Sequence, residues 1–119
     1  MIQIGNLSYR RDSQTKDRRM SSRWQRKFMQ RPKFILGRII ATPGALELLL
    51  ELRVLPHDLL RRHQSGDWGD LCDEDKQAND AALVEGSRLL SAYCFLERKI
   101  WVITEADRSS TCILLPSEY

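Results

Sequence analysis

The sequence predicts an α+β domain in which an N-terminal strand and three short helices pack on a C-terminal antiparallel three-strand meander. Helix start and stop signals divide residues 42–86, and three β-rich runs follow in the last third of the chain. The length of 119 residues is that of one ordinary domain. Its 42% apolar and 29% charged residues are typical of a globular protein and argue against wholesale disorder.

Charge divides the chain into two parts. Residues 1–35 hold ten Lys and Arg against two Asp, a net charge of +8, whereas residues 36–119 hold nine against fourteen Asp and Glu, a net of −5. One-signed charge with few apolar residues is typical of a segment that cannot fold alone. We therefore expect a flexible basic arm over residues 1–32 and a compact domain over residues 33–119. Met20 and Met29 are alternative translation starts, which leaves open whether the arm is a genuine extension.

Within the basic arm, Met20, Trp24 and Phe28 recur every four residues and predict a short helix near residues 18–30. Its apolar stripe is too narrow to stabilise an isolated helix, so the helix needs a partner surface. Basic side chains that contact phosphates, beside rings that stack on unpaired bases, are typical of nucleic-acid binding. The candidate residues are Arg18, Arg19, Arg23, Trp24, Arg26, Lys27, Phe28 and Arg31. The alternative is a tail without function.

The domain begins with the Ile-rich run KFILGRIIA, residues 33–41, which predicts a strand. Thr42 is a favourable N-cap and Pro43 a favourable first residue for the helix that follows. The side chains of this helix that we expect to face the core are Leu46, Leu49, Leu50 and Val54.

Two more helices and three strands complete the predicted domain. The second helix begins at Pro56 and turns Leu59 and Leu60 inward, and the third begins near Asp73 and ends at Gly86. The runs RLLSAYCFL, KIWVITE and TCILLP predict the strands of the meander, with short hairpin connections at residues 97–98 and 106–110. Trp68 and Trp101 are both expected to be largely buried, with Trp101 on a central strand.

Five sequence blocks carry a family resemblance: ATPGALELL (41–49), GDWGDL (66–71), EDKQANDAAL (74–83), GSRLLSAY (86–93) and KIWVITEADRSSTCILLP (99–116). In the same order, they are similar to those of small bacterial proteins encoded mainly on plasmids, prophages and integrative elements. Such proteins bear names such as plasmid-related protein or type I restriction endonuclease subunit M. The chain lacks the doubly wound domain and Gly-rich turn that a DNA methyltransferase requires. Residues 1–33 lie outside the resemblance.

The resemblance implies an accessory protein of mobile genetic elements that acts through protein or nucleic-acid contacts, with anti-defence among its conceivable roles. Its partner would be nucleic acid, reached through the basic arm, or a host or defence protein. The resemblance implies no catalytic residue. The alternative is a small endoribonuclease of the RelE or barnase type, since these folds also place helices before an antiparallel sheet.

Two polar segments are candidate sites. In the first, Asp67 and Asp70 could flank a ligand with Trp68 as a stacking platform, or the segment could be a tight loop plugged by Trp68. The second, residues 104–111, is either a phosphate site at a hairpin tip or a plain turn. Its candidate catalytic residues are Glu105, Arg108 and Thr111, and its candidate ligand or partner contacts are Asp107 and Arg108.

Metal and membrane signals are weak. His57 and His63 are six residues apart on a helix, so they do not share a face, and neither has a Cys or carboxylate at ligand spacing. We expect no metal and no cofactor. Every apolar run, among them residues 48–50, is far too short to span a membrane, and no secretory signal is evident, which predicts a cytoplasmic protein. The cysteines are then expected to be thiols: Cys72, Cys94 and Cys112.

Overall fold

Three helices pack on a five-stranded mixed sheet in the computed structural model, which describes residues 2–6 and 31–119. The strands are β1 (Ile2–Asn6), β2 (Arg38–Ala41), β3 (Leu89–Phe95), β4 (Arg98–Thr104) and β5 (Ser110–Leu114). The helices are α1 (Pro43–Leu52), α2 (Pro56–Gln64) and α3 (Asp73–Glu85), and a 3-10 turn covers Pro116–Glu118. This arrangement confirms the predicted α+β class.

The strands lie in the order β1-β2-β5-β4-β3. The last three form the predicted antiparallel meander. β2 pairs with β5 in parallel, and the helices of the domain lie in the long connection that such a pairing requires. The β3–β4 turn, at Leu96 and Glu97, begins one residue earlier than predicted, and both of its residues have positive φ.

The strand predicted over residues 33–41 is shorter, because β2 begins only at Arg38. Gly37 interrupts it with a φ of +68°, and a Cβ there would lie 2.4 Å from the carbonyl oxygen of Ser109. Before Gly37 the chain contacts other elements instead of a neighbouring strand. The N–H of Lys33 donates to the carbonyl of Gln64 over 2.7 Å.

β1 lies inside the region that the sequence predicted to be a flexible arm. Its backbone pairs antiparallel with β2, with an irregularity between Gln3 and Gly5. The prediction missed it because the exposed edge of β2 supplies backbone partners that are invisible in the local composition. The helix predicted near residues 18–30 lies outside the described residues, and the boundary at residue 32 stays a prediction.

α1 begins as predicted, since the Thr42 side chain accepts a hydrogen bond from the N–H of Ala45 over 3.2 Å. The expectation that Leu50 faces the core is wrong, because 79% of this residue is exposed. Ala45, Leu48 and Leu49 are buried instead. The period of 3.6 residues puts these three on one side of α1 and turns Leu50 away from it.

The other helices confirm their predicted features. Leu59 and Leu60 of α2 are buried, and α3 ends at Gly86 with a φ of +78°. All three helices pack on one face of the sheet, hereafter the helix face. The strand residues that they cover are Ile39, Ala41, Leu89, Tyr93, Ile100, Val102 and Ile113.

The two tryptophans differ in burial. Trp68 is 3% exposed, as predicted. The expectation for Trp101 is wrong: it is only half-buried, and strand alternation places it on the sheet face opposite the helices. Its strand β4 has the predicted interior position, with β3 on one side and β5 on the other.

The orientation of α1 predicts a contrast between adjacent leucines. Leu48→Ala should lower the free energy of unfolding by about 2–5 kcal/mol, because it opens a cavity in the core. Leu50→Ala, the matched control, should change it by less than about 0.5 kcal/mol. Urea unfolding followed by circular dichroism measures both, and equal losses for the two variants would contradict the orientation of α1.

Candidate functional site

The three candidate catalytic side chains do not share a surface. Thr111 is buried on the helix face, where its hydroxyl donates to the carbonyl of Leu36 over 2.7 Å. Glu105 points to the opposite face and pairs with Arg88, with 3.1 Å between Oε2 and Nε. The sheet therefore separates the carboxylate from the hydroxyl that the sequence reading combined.

The guanidinium of Arg108 binds backbone carbonyls. Its Nη1 donates to the carbonyl oxygens of Ser87 (2.6 Å), Glu105 (3.1 Å) and Ala106 (3.1 Å), and its Nη2 donates to that of Ala82 (3.1 Å). Carbonyls at a helix C-terminus lack partners within the helix and attract cations. Arg108 thus ties the β4–β5 turn to the end of α3, and these bonds hold its guanidinium against backbone carbonyls.

Asp107 closes the same turn. Its Oδ1 accepts the N–H of Ser109 over 3.0 Å, and hydrogen bonds from Ser109 lower the pKa of this carboxyl. An Asp that binds the backbone two residues ahead is a common turn-forming contact. The contacts of residues 104–111 are those of a hairpin turn locked to a helix.

Trp68 offers no open ring face to a ligand. Its ring packs with Ala82 and Leu89, and its indole Nε1 donates to Asp80 over 3.0 Å. The Trp68 side chain therefore packs α3 against β3, as expected if this segment is a tight loop plugged by Trp68.

Asp67 and Asp70 are engaged in the same loop. Asp67 pairs with Arg62 at 2.7 Å and accepts the N–H of Gly69 at 3.1 Å. Asp70 accepts the N–H of Cys94 at 2.7 Å, and its own N–H donates to the carbonyl of Ala92 at 2.6 Å. These bonds satisfy the outer edge of β3, which would otherwise be open to pairing with another chain.

A buried polar network, which sequence reading missed, lies between α2 and the sheet. His63 is fully buried, with its Nδ1 2.5 Å from Ser91 Oγ and its Nε2 2.9 Å from Thr104 Oγ1. Thr104 Oγ1 lies 2.7 Å from Thr111 Oγ1, and Thr111 bonds in turn to Leu36. The available signal was a polar residue at a core-facing position of each meander strand, since such positions need a buried partner.

The hydroxyl of Thr111 determines the direction of every bond in this network. Because its single hydrogen is donated to Leu36, Thr111 must accept from Thr104, and Thr104 must then accept from His63. His63 therefore carries its hydrogen on Nε2, and its Nδ1 accepts from Ser91. Burial, and then the charge of Arg108, lower the pKa of His63 to about 3, so the imidazole is neutral. It has no contact with solvent through which it could act on a substrate.

The sheet face opposite the helices, hereafter the open face, carries side chains in transverse rows. Neighbouring residues in the strand register form an apolar row of Ile40, Cys112, Ile103 and Leu90. A second apolar row contains Leu114, Trp101 and Ala92. A polar row at one end of the sheet contains Arg38, Ser110, Glu105 and Arg88. Two adjacent apolar rows are typical of a face that packs against something.

Tyr119 lies at the β3–β4 side of the open face. Its ring centroid is 5.7 Å from that of Trp101 in an edge-to-face arrangement, and its hydroxyl accepts from Nη1 of Arg88 over 2.9 Å. The ring is 72% exposed. Arg88, paired with Glu105, thus fixes an aromatic side chain on the sheet.

The candidate nucleic-acid residues of the basic arm lie outside the described residues, except Arg31, which is exposed. Over residues 2–6 and 31–119, no group of three His, Cys, Asp or Glu side chains could hold a metal ion. No buried side-chain nitrogen or oxygen in this part of the chain lacks a hydrogen-bond partner. No helix among the described residues is long and apolar enough to cross a membrane.

Comparisons of the chain with protein-family models, with curated proteins and with solved structures find no match.

The contacts of Arg108 predict a structural role. Arg108→Ala should lower the free energy of unfolding by about 1–3 kcal/mol, because it removes the hydrogen bonds that tie the β4–β5 turn to the carbonyls of Ala82 and Ser87. Arg61→Ala, at an exposed position of α2, is the control and should stay within about 0.5 kcal/mol of the parent. Unchanged stability of Arg108→Ala in chemical denaturation would contradict the role.

The neutral His63 predicts acid sensitivity. The pKa is 6.5 in the unfolded chain and about 3 in the fold, so the unfolded state binds the proton first and stability falls as the pH drops below 6.5. The free energy of unfolding should fall by about 1.4 kcal/mol per pH unit, or about 2 kcal/mol between pH 6.5 and pH 5. Carboxylates usually titrate below this pH window, so they contribute little to the change.

Urea unfolding at the two pH values, with His63→Gln as control, measures this loss. The variant should lose much less stability than the parent over the same window. Nitrogen NMR of the parent, which does not depend on a folded variant, should show His63 protonated on Nε2 alone at pH 5. A charged imidazole at that pH would refute the assignment.

Proposed function

We propose that this protein is a non-enzymatic nucleic-acid-binding protein whose basic arm contacts phosphates and whose α+β domain carries the arm. The observation that supports this most is the separation of charge, +8 over residues 1–35 against −5 over residues 36–119. Basic side chains bind phosphates without sequence preference, whereas an acidic domain repels them. Binding is therefore expected to depend on the arm alone.

The contacts of the domain favour binding over catalysis. Arg108 is bound to carbonyls, Thr111 is buried, and His63 is neutral and enclosed. A general acid or base must come within hydrogen-bond reach of its substrate. The side chains best suited to phosphate chemistry are thus committed to the fold, which supports a binding role.

The family resemblance of residues 40–119 supports the setting that we propose for this activity. In this proposed setting, the protein is a cytoplasmic accessory factor of a plasmid, prophage or integrative element. A protein that binds nucleic acid and also contacts a host or defence protein would suit anti-defence, and we propose the acidic domain for that second contact.

The salt dependence of binding tests the proposal. The full chain should bind a single-stranded oligonucleotide with an affinity that falls steeply with salt concentration. Replacing Arg19, Arg23 and Arg26 together by Gln should reduce the slope of log K against log salt by about 2, since each lost phosphate contact accounts for about 0.7. Fluorescence anisotropy over a range of salt concentrations measures the slope.

A charge-matched control uses the domain. Replacing Arg53, Arg61 and Lys99 together by Gln removes the same charge and should leave the slope unchanged. Equal effects of the two triple variants would contradict binding through the arm. Cleavage of the oligonucleotide by the purified parent, lost in Glu105→Ala, would contradict the non-enzymatic assignment.

A further inference from the structure

The open face needs an occupant. None of the three described helices lies on it, and the 3-10 turn contacts β4 and, through Glu118, Thr42 and Gly44. The apolar row of Ile40, Cys112, Ile103 and Leu90 spans four strands, which corresponds to about 14 Å. Ile103 of this row is only 7% exposed, and Ile40, Cys112 and Leu90 are half-buried, so this face packs against more than the described helices. Each large side chain gains on the order of 1.5–3 kcal/mol when it is buried.

The path of the chain indicates what lies there. Asn6 ends β1 at one edge of the sheet. Lys33 is bonded to Gln64 and adjoins Gly66, and the loop that follows pairs Gly69 with Ala92 at the opposite edge strand, β3. Residues 7–30 must therefore join points near opposite edges of a sheet about 19 Å wide. The helix face is already occupied by α1, α2 and α3, whereas none of these helices lies on the open face.

We propose that the open face is the docking site of residues 18–30 of this same chain, with Met20, Trp24 and Phe28 on the apolar rows. The dimensions agree. On a helix, the stripe from Met20 to Phe28 measures about 12 Å, close to the length of the apolar row, and the 13 residues measure about 20 Å, close to the width of the sheet. The narrow stripe needs a partner surface, and the apolar rows are covered by none of the described helices.

Docking fixes the direction of the basic side chains. With the stripe against the sheet, the helical period turns Arg19 and Arg26 to the opposite side. Docking of the segment does not depend on whether these side chains bind nucleic acid. A second copy of the chain, or another protein, on the open face is the competing occupant.

The reactivity of Cys112 tests the docking, because this half-buried thiol lies in the apolar row. The full chain with Trp24→Gln and Phe28→Gln should react with a maleimide at Cys112 about tenfold faster or more, since each lost apolar contact weakens docking by roughly that factor. The exposed Cys72, which lies before α3 and away from the open face, is the internal standard. Mass spectrometry of the labelled peptides gives both rates.

A matched control places the same number of polar substitutions on the other side of the segment. Ser22→Gln with Arg26→Gln should leave the Cys112 rate unchanged while weakening oligonucleotide binding, so the docking and the proposed function fail separately. An unchanged Cys112 rate in the Trp24 and Phe28 variant overturns the docking. Protection of Cys112 in the parent that disappears on dilution assigns the face to a second copy and also overturns it.

A cross-link provides a second test that does not depend on a weakened interface. In a chain with Cys72→Ser and Cys94→Ser, Trp24→Cys should form a disulfide with Cys112 within one chain under mild oxidation. Arg26→Cys, on the opposite side, should not. Absence of the first cross-link, or equal yield of the two, overturns the proposal.

Discussion

The helix layer depends on one buried imidazole. His63 joins α2 to β3 through Ser91 and to β4 through Thr104. Thr104 extends the network to Thr111 of β5, which bonds to Leu36 in the segment before β2. The rings of Phe34 and Trp68 stand edge-on to His63 at 5.2 Å and 5.7 Å. Because every member has a single donor direction, loss of one bond leaves a neighbour unsatisfied in a dry interior, where such groups are costly. The network therefore defines how the helices sit on the sheet.

The polar side chains in the loops around this network are also engaged in holding the fold together. Arg108 binds the carbonyls at the end of α3, and the loop from Asp67 to Asp70 satisfies the outer edge of β3. At the other edge, β1 pairs with β2. Side chains that suggest a reactive site in the sequence are thus bound to backbone, and residues 36–119 carry a net charge of −5 against +8 over residues 1–35. This division of charge is the feature on which the proposed nucleic-acid binding rests.

Both faces of the sheet are apolar, and this distinguishes the fold from a simple two-layer domain. Helices cover one face, while the other has two apolar rows bordered by Arg88, Glu105 and Arg38. Docking of residues 18–30 there would give a three-layer arrangement, with the basic side chains displayed on a rigid surface. Rigid display lowers the entropy cost of contacting phosphates.

The sequence alone determined the class of the fold, the start of α1, the ends of α3 and the order of the meander, because caps and periodicity act over a few neighbouring residues. Tertiary structure decided the rest. Leu50 is exposed to solvent, and Ile2–Asn6 pairs with β2 as an edge strand. Thr111 and Glu105 lie on opposite faces of the sheet. The tertiary structure also joins Leu36 to Thr111, 75 residues apart. Such partners meet only after the chain has folded, so no local pattern specifies which polar side chains remain free to bind a ligand.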